Sequence, residues 1–190
     1  MLFTVSIAFF APVVLILAAF IALTRPGKRP GFVPLLSEWS ALTAAFLAAI
    51  GLAQVAIGGS LKSGVLDGTL ALLLRADLVS ATMALLVGFI GWIVMRYSRT
   101  YIDGEEREGT FHALMMAALS SVMVFVQAGS MLVVIAATIA VGMALRQRLL
   151  VYPDRPEAQR AATKFALVWH AGDAALIAAF ASLSIGFGAS

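Results

Sequence analysis

The stretch TFHALMMAALSSVMVFVQAGSMLVVIAATIAVGMAL, residues 110–145, contains no Asp, Glu, Lys or Arg. A helix rises about 1.5 Å per residue, so a single rod of this length would far exceed the roughly 30 Å of a bilayer's hydrocarbon core. The run therefore crosses twice. Gln127-Ala128-Gly129-Ser130 offers polar and small residues for a tight turn, which divides the run into spans near 110–127 and 130–147. Backbone polar groups find no water inside lipid, so uncharged spans of this length are helices. The fold class that follows is an all-α membrane protein.

Composition agrees with this reading over the whole chain. Of 190 residues, 62% are hydrophobic and 12% charged, and the mean hydropathy of +0.99 lies outside soluble-globular usage. A water-soluble enzyme is excluded. Thirteen Lys and Arg against ten Asp and Glu leave a charge of +3, which in so apolar a chain reflects loops facing anionic lipid; the bilayer is the implied partner, not nucleic acid. The absence of cysteine rules out disulfides, thiol nucleophiles and cysteine-bound zinc or iron-sulfur centres, and two histidines make a poor metal cage. No metal site and no cofactor are expected.

Working outward, four more spans emerge, near 2–24, 40–57, 78–95 and 158–185, for about six in all in one domain over 1–190. The first has no basic n-region, since Arg25 follows it, and is read as a retained span. Pro12 within it should kink or locally unwind the helix and free a carbonyl for a neighbour to satisfy. Glu38 and Trp39 are read as interfacial, ahead of span two. Between spans two and three, residues 60–77 are too short and too polar to cross, and predict a surface or re-entrant hairpin. Arg96, Tyr97, Arg99 and Tyr101 close span three as an interfacial anchor.

The cations test this division. Loops after spans one, three and five hold Arg25, Lys28, Arg29, Arg96, Arg99, Arg107, Arg146, Arg148, Arg155, Arg160 and Lys164, whereas the other side holds Lys62 and Arg75. The positive-inside rule makes those three loops cytoplasmic and places both termini outside. Arg96, Arg99, Arg107, Arg146, Arg148 and Arg155 form a basic rim, a candidate interface for a soluble partner or for anionic lipid.

Asp173 is the carboxylate expected well inside a span, where an ionisable group costs several kcal/mol unless paired or hydrated. At 100° per residue, Thr163, Ala166, His170 and Asp173 fall within about 80° on one helix face. His170 and Asp173, at i and i+3, could relay protons, or Asp173 could belong to a hydrogen-bonded network holding helices together. Lys164 joins them as an ion-path candidate, although it lies near enough to the cytoplasmic edge to snorkel. His112 opens span four and is read as interfacial. The run Asp103 to Glu108, DGEERE, reads as a solvated loop. Gly88 and Gly91 permit close helix packing, and the methionines read as core filler. No nucleophile motif, Walker loop or dinucleotide fingerprint occurs.

The segment LRADLVSATMALLVGFIGWIVMRYSRTYIDGEEREGTFHALM from Leu74, with KFALVWHAGDAALIAAF from Lys164, resembles the antiporter-like membrane subunits of respiratory complex I and Mrp-type cation/proton antiporters. Asp77, the Tyr97-Ser98 pair and His170 ahead of Gly172-Asp173 carry the likeness, which covers over half of the chain. Where that superfamily places a proton-path glutamate in the fifth span, the register fixed by Gly142 puts Thr138 and Ile139. MALRQRLLVYPDRPEAQRAATKF, with Arg146, Leu149-Leu150, Tyr152-Pro153 and Arg155-Pro156, is instead similar to the membrane-embedded subunit of the DAB inorganic carbon transporter family. That resemblance implies a cation-conducting, most simply proton-coupled, subunit of the bacterial inner membrane. Its implied partner is a large cytoplasmic zinc-binding, carbonic-anhydrase-like protein, and the pair would accumulate bicarbonate. It implies a transporter subunit and not an enzyme; under the complex I alternative the chain would belong to an ion-translocating oxidoreductase. A non-conducting membrane anchor for a soluble partner is the third reading. Members are much longer, so the resemblance covers their N-terminal portion.

Overall fold

The computed structural model describes residues 6–65, 72–150 and 156–187. The expected start of span one at Leu2, and Asp67, Tyr152, Pro153, Asp154 and Arg155, lie outside the described residues. Described are a 3-10 turn Ile7–Phe9 and helices α1 Phe10–Leu23, α2 Val33–Gly58, α3 Leu78–Tyr101, α4 Glu108–Val126, α5 Met131–Leu149 and α6 Pro156–Phe187, with strands β1 Leu61–Val65 and β2 Leu72–Ala76 between α2 and α3. The chain is a multi-pass helical membrane protein: α2 to α6 are long and apolar enough to cross a bilayer, and the segment Ile7–Leu23 is apolar but shorter.

Several boundaries differ from expectation for local reasons. α2 starts at Val33, not near residue 40, because Pro34 occupies its first turn, where a missing N–H costs nothing. Glu38 and Trp39 are thus helical. α3 runs on to Tyr101, so Arg96 and Arg99 project from its last turns. Pro12 does not kink a span interior, since it falls in the first turn of α1 just after the 3-10 turn. Its i−4 carbonyl, Ala8 O, accepts a hydrogen bond from Gln127 Nε2 at 3.3 Å.

The segment expected as a hairpin is an antiparallel pair, with Leu61 opposite Ala76 and Lys62 opposite Arg75. β2 also binds the α4–α5 turn, through Arg75 N to Gln127 O and Gly129 N to Leu73 O, each 2.8 Å. Its edge is therefore satisfied by protein. Asp77 caps α3: its Oδ1 accepts the Ser80 N–H at 2.7 Å, while the Asp77 N–H reaches Ser80 Oγ at 2.9 Å. The Ser80 backbone N–H, reinforced by Arg75, holds the Asp77 carboxyl below its ordinary value of 3.8. A depressed folded-state pKa contributes stability that is fully present above the unfolded value and is lost as pH falls through the folded one. Asp77→Ala is accordingly expected to cost about 1 kcal/mol at neutral pH, with the gap in thermal midpoint narrowing as pH falls below the ordinary carboxyl value of 3.8.

α4 lies at the centre and packs on α1, α2, α3 and α5, while α6 packs chiefly on α5. The core is built of small residues and methionine: Ala11, Ala18, Ala41, Ala44, Met95, Met116 and Met123 are buried. Without a hydrophobic drive between helices in lipid, close backbone approach supplies the cohesion. A Cβ on Gly88 would stand 2.8 Å from Ala45 Cα, and one on Gly91 would stand 2.7 Å from Leu119. Phe20, Phe46, Val79, Leu167 and Val168 face outward, as lipid-facing positions do.

The two ends of the bundle match the division of charge. At one end the loop after α1 meets the first turn of α4 through Thr110 N to Pro26 O at 3.3 Å, and Arg148 of α5 lies over Phe111 at 5.0 Å. At the other end are residues 6–9, the β-hairpin and the α4–α5 turn. The chain has no native cysteine, so single Lys62→Cys and Glu106→Cys variants are expected to react with an impermeant thiol reagent from opposite sides of the membrane. Same-side labelling would refute this topology.

Candidate functional site

On α6, Ala162, Trp169 and Asp173 fall within about 40° of one another and form the stripe turned to α5. Trp169 Nε1 donates to Thr138 O at 3.1 Å, and its indole occupies the space a Cβ on Gly142 would need. One turn further along, Asp173 is 6% exposed. Its Oδ2 lies 3.6 Å from His170 Nδ1, while Oδ1 has no hydrogen-bond partner among the described residues. The sequence pattern groups Thr163, His170 and Asp173 on one face, but the axis of that face is rotated. The His170 side chain is 62% exposed, and Thr163 and Lys164 are exposed as well. Asp173 is thus a buried carboxylate on the α5–α6 seam, edged by one histidine. Thr138 lies on the α5 side of this seam and contributes its carbonyl.

Two further carboxylates escape a reading of the sequence. Glu38 accepts Arg99 Nη1 at 2.9 Å and lies 3.7 Å from Arg96 Nη1. Glu108, expected in a solvated loop, opens α4 and is 2% exposed; its Oε2 accepts the Gly104 N–H at 3.1 Å. With Arg29, Phe32, Pro34, Arg99 and Asp103 it lines a cleft of about 450 Å³ at the basic end. Arg29 lies 3.9 Å from Asp103 across its mouth.

His112 faces neither solvent nor lipid. It is fully buried, because α2 presents Ser37 to it from 75 residues away: Ser37 Oγ lies 2.9 Å from His112 Nδ1 and donates to Pro34 O at 2.8 Å. The spacing of Glu108 and His112, one helical turn apart, was the available signal. Of the expected basic rim, Arg96 and Arg99 are occupied by Glu38, Arg107 is half-buried at the α4 N-cap, Arg148 stacks on Phe111, and Arg146 is exposed. Arg155 lies outside the described residues. Among the described residues no cluster of three or more His, Asp or Glu could hold a metal.

The described residues thus form a multi-pass helical bundle with a buried carboxylate on the α5–α6 seam and a second, Glu108, at its basic end. Residues 65–112 match the family model for the N-terminus of chain 5 of NADH-ubiquinone oxidoreductase (complex I). The "Probable inorganic carbon transporter subunit DabB2" of Halothiobacillus neapolitanus is 33% identical over 121 residues, covering 64% of this chain and 22% of that protein. The "Probable inorganic carbon transporter subunit DabB" of Hydrogenovibrio crunogenus is 31% identical over 102 residues, covering 53% of this chain and 20% of that protein. The chain spans about a fifth of the length of the curated relatives it matches.

Proposed function

We propose that this chain is the N-terminal part of a cation-coupled, most simply proton-coupled, membrane subunit of an inorganic carbon accumulation complex. The observation that carries the reading is the 33% identity over 121 residues with a named inorganic carbon transporter subunit. Asp173, with His170, is the ion-path acid in this reading, since a buried carboxylate at membrane depth is retained at a cost. Lys164, exposed about two turns into α6, serves as a membrane-edge anchor. The chain lies in a bacterial inner membrane with its basic end in the cytoplasm and its termini outside. The match of residues 65–112 to complex I chain 5 supports an alternative, a proton-translocating subunit of complex I or Mrp type. A non-conducting anchor is the third reading.

The relatives are named as subunits, and the partner that fits is a large cytoplasmic zinc-binding, carbonic-anhydrase-like protein docking on the basic end. Co-purification separates the readings: a soluble zinc protein supports the first, peripheral redox subunits the second. Absence of proton flux in proteoliposomes of the assembled complex would leave the anchor. Arg146→Glu combined with Arg148→Glu is expected to release the soluble partner while membrane insertion is unchanged. Because Arg148 also stacks on Phe111, Arg146→Glu alone is the control, with a partial loss expected. Undiminished capture by the double variant would remove this docking site.

A further inference from the structure

The buried face of α4 carries polar groups along its whole length. Glu108, His112, Met116, Ser120, Met123 and Gln127 fall within about 120° on the helical wheel, and each is at most 5% exposed. From Glu108 to Gln127 the rise is roughly 28 Å, close to the thickness of the hydrocarbon core. At one end Glu108 opens on the cleft with Arg29, Arg99 and Asp103. Next come His112 with Ser37, then Ser40, whose Oγ lies 3.3 Å from Met116 Sδ. At mid-depth Ser120 donates to Pro12 O at 2.8 Å. At the far end Gln127 holds Ala8 O, beside Gln54, whose Oε1 accepts the Ile7 N–H at 3.0 Å.

Helix packing alone would satisfy these groups, yet two of them, His112 Nε2 and Gln127 Oε1, are buried without a hydrogen-bond partner among the described residues, as is Ser6 Oγ, next to Ile7 in the chain. Ser37 has one hydroxyl hydrogen; with it assigned to Pro34 O, the Ser37 lone pair receives the His112 Nδ1–H. Nε2 is then a bare acceptor in the bundle interior, which costs free energy unless a donor reaches it. Water is the donor that fits a buried polar site. The two gaps in the row, at Met116 and Met123, are closed by unbranched side chains that can swing aside.

We propose that the α1–α2–α4 interior is a hydrated proton-relay file running from the Glu108 cleft to Gln127, with His112 as its titrating member, on a seam separate from that of Asp173. An excess proton arriving as hydronium from the cleft side is taken up at Nε2 to give an imidazolium and water; the same nitrogen then releases its proton to a water on the Gln127 side, which becomes hydronium, and the neutral ring is restored. This rests on the cation-coupled reading above.

Two measurements on the intact chain test it. The chain has two histidines, so His170→Gln with 15N-histidine labelling leaves His112 as the sole imidazole for water-edited solid-state NMR in phosphatidylethanolamine–phosphatidylglycerol vesicles. Polarisation transfer from water to the His112 ring nitrogens within a few milliseconds is expected; a dry imidazole overturns the file. In proteoliposomes of the complex, His112→Phe is expected to lower proton flux at least tenfold at unchanged abundance, and unchanged flux overturns the relay even if the ring is wet. If His112→Phe fails to assemble, His112→Gln, which keeps one donor and one acceptor but cannot shuttle a proton, is read in its place. If the wild-type complex moves no protons, the cation-coupled reading falls, while the NMR measurement still decides whether the file holds water.

Discussion

On the proposed inorganic-carbon reading, Asp173→Asn is expected to abolish accumulation by the assembled complex without lowering its abundance. Asparagine keeps the shape of the side chain and loses the titrating oxygen, so it separates proton carriage from packing. The geometry sharpens the alternative. A scaffold role needs partners, but Asp173 Oδ1 has none among the described residues and Oδ2 stands 3.6 Å from His170 Nδ1, beyond ordinary hydrogen-bond reach. Removing a carboxylate with so little to hold leaves few groups unsatisfied, and replacing a poorly paired buried charge by an apolar group is often neutral or stabilising. Asp173→Leu is therefore expected to fold, to melt within about 1 kcal/mol of the parent, and to be equally inactive. Wild-type uptake by Asp173→Asn would take Asp173 out of the ion path, and a large loss of stability in Asp173→Leu would make it a structural residue.

Features set by local chemistry were legible in the sequence. The turn at 127–130 was visible because an uncharged run of that length cannot cross once, and the division of cations between loops matches the two ends of the bundle. Features set by distant partners were not. Nothing near His112 announces Ser37, which lies in another helix, so its burial could not be read from its position at the start of a span. Glu38 was placed ahead of span two because an acid usually ends a span; α2 begins before it, and Arg96 and Arg99 of α3 take up its charge. For α6 the wheel gave the relative angles of Thr163, His170 and Asp173 correctly. The direction of the stripe, however, is fixed by the gap that Gly142 leaves on α5, and a wheel carries no information about a neighbouring helix.

That gap makes position 142 sensitive to a single methyl group. A Cβ at position 142 would overlap the Trp169 indole, which cannot yield without breaking its hydrogen bond to Thr138 O and disturbing its stacking on Phe165, 5.2 Å away between centroids. Overpacking of this kind costs about 1–3 kcal/mol, and the lost hydrogen bond adds about 1 kcal/mol. Since α6 packs chiefly on α5, the helix has little else to hold it in register. Gly142→Ala is thus expected to lower the thermal midpoint, to expose α6 to limited proteolysis, and to reduce uptake because Asp173 lies one turn along the same seam. A double-mutant cycle identifies the cause: in a Trp169→Ala background the added methyl has nothing to strike, so the two substitutions together should cost less than the sum of each alone. Strict additivity would mean that Gly142 acts through some contact other than Trp169, and the account of how α6 is oriented would have to be given up.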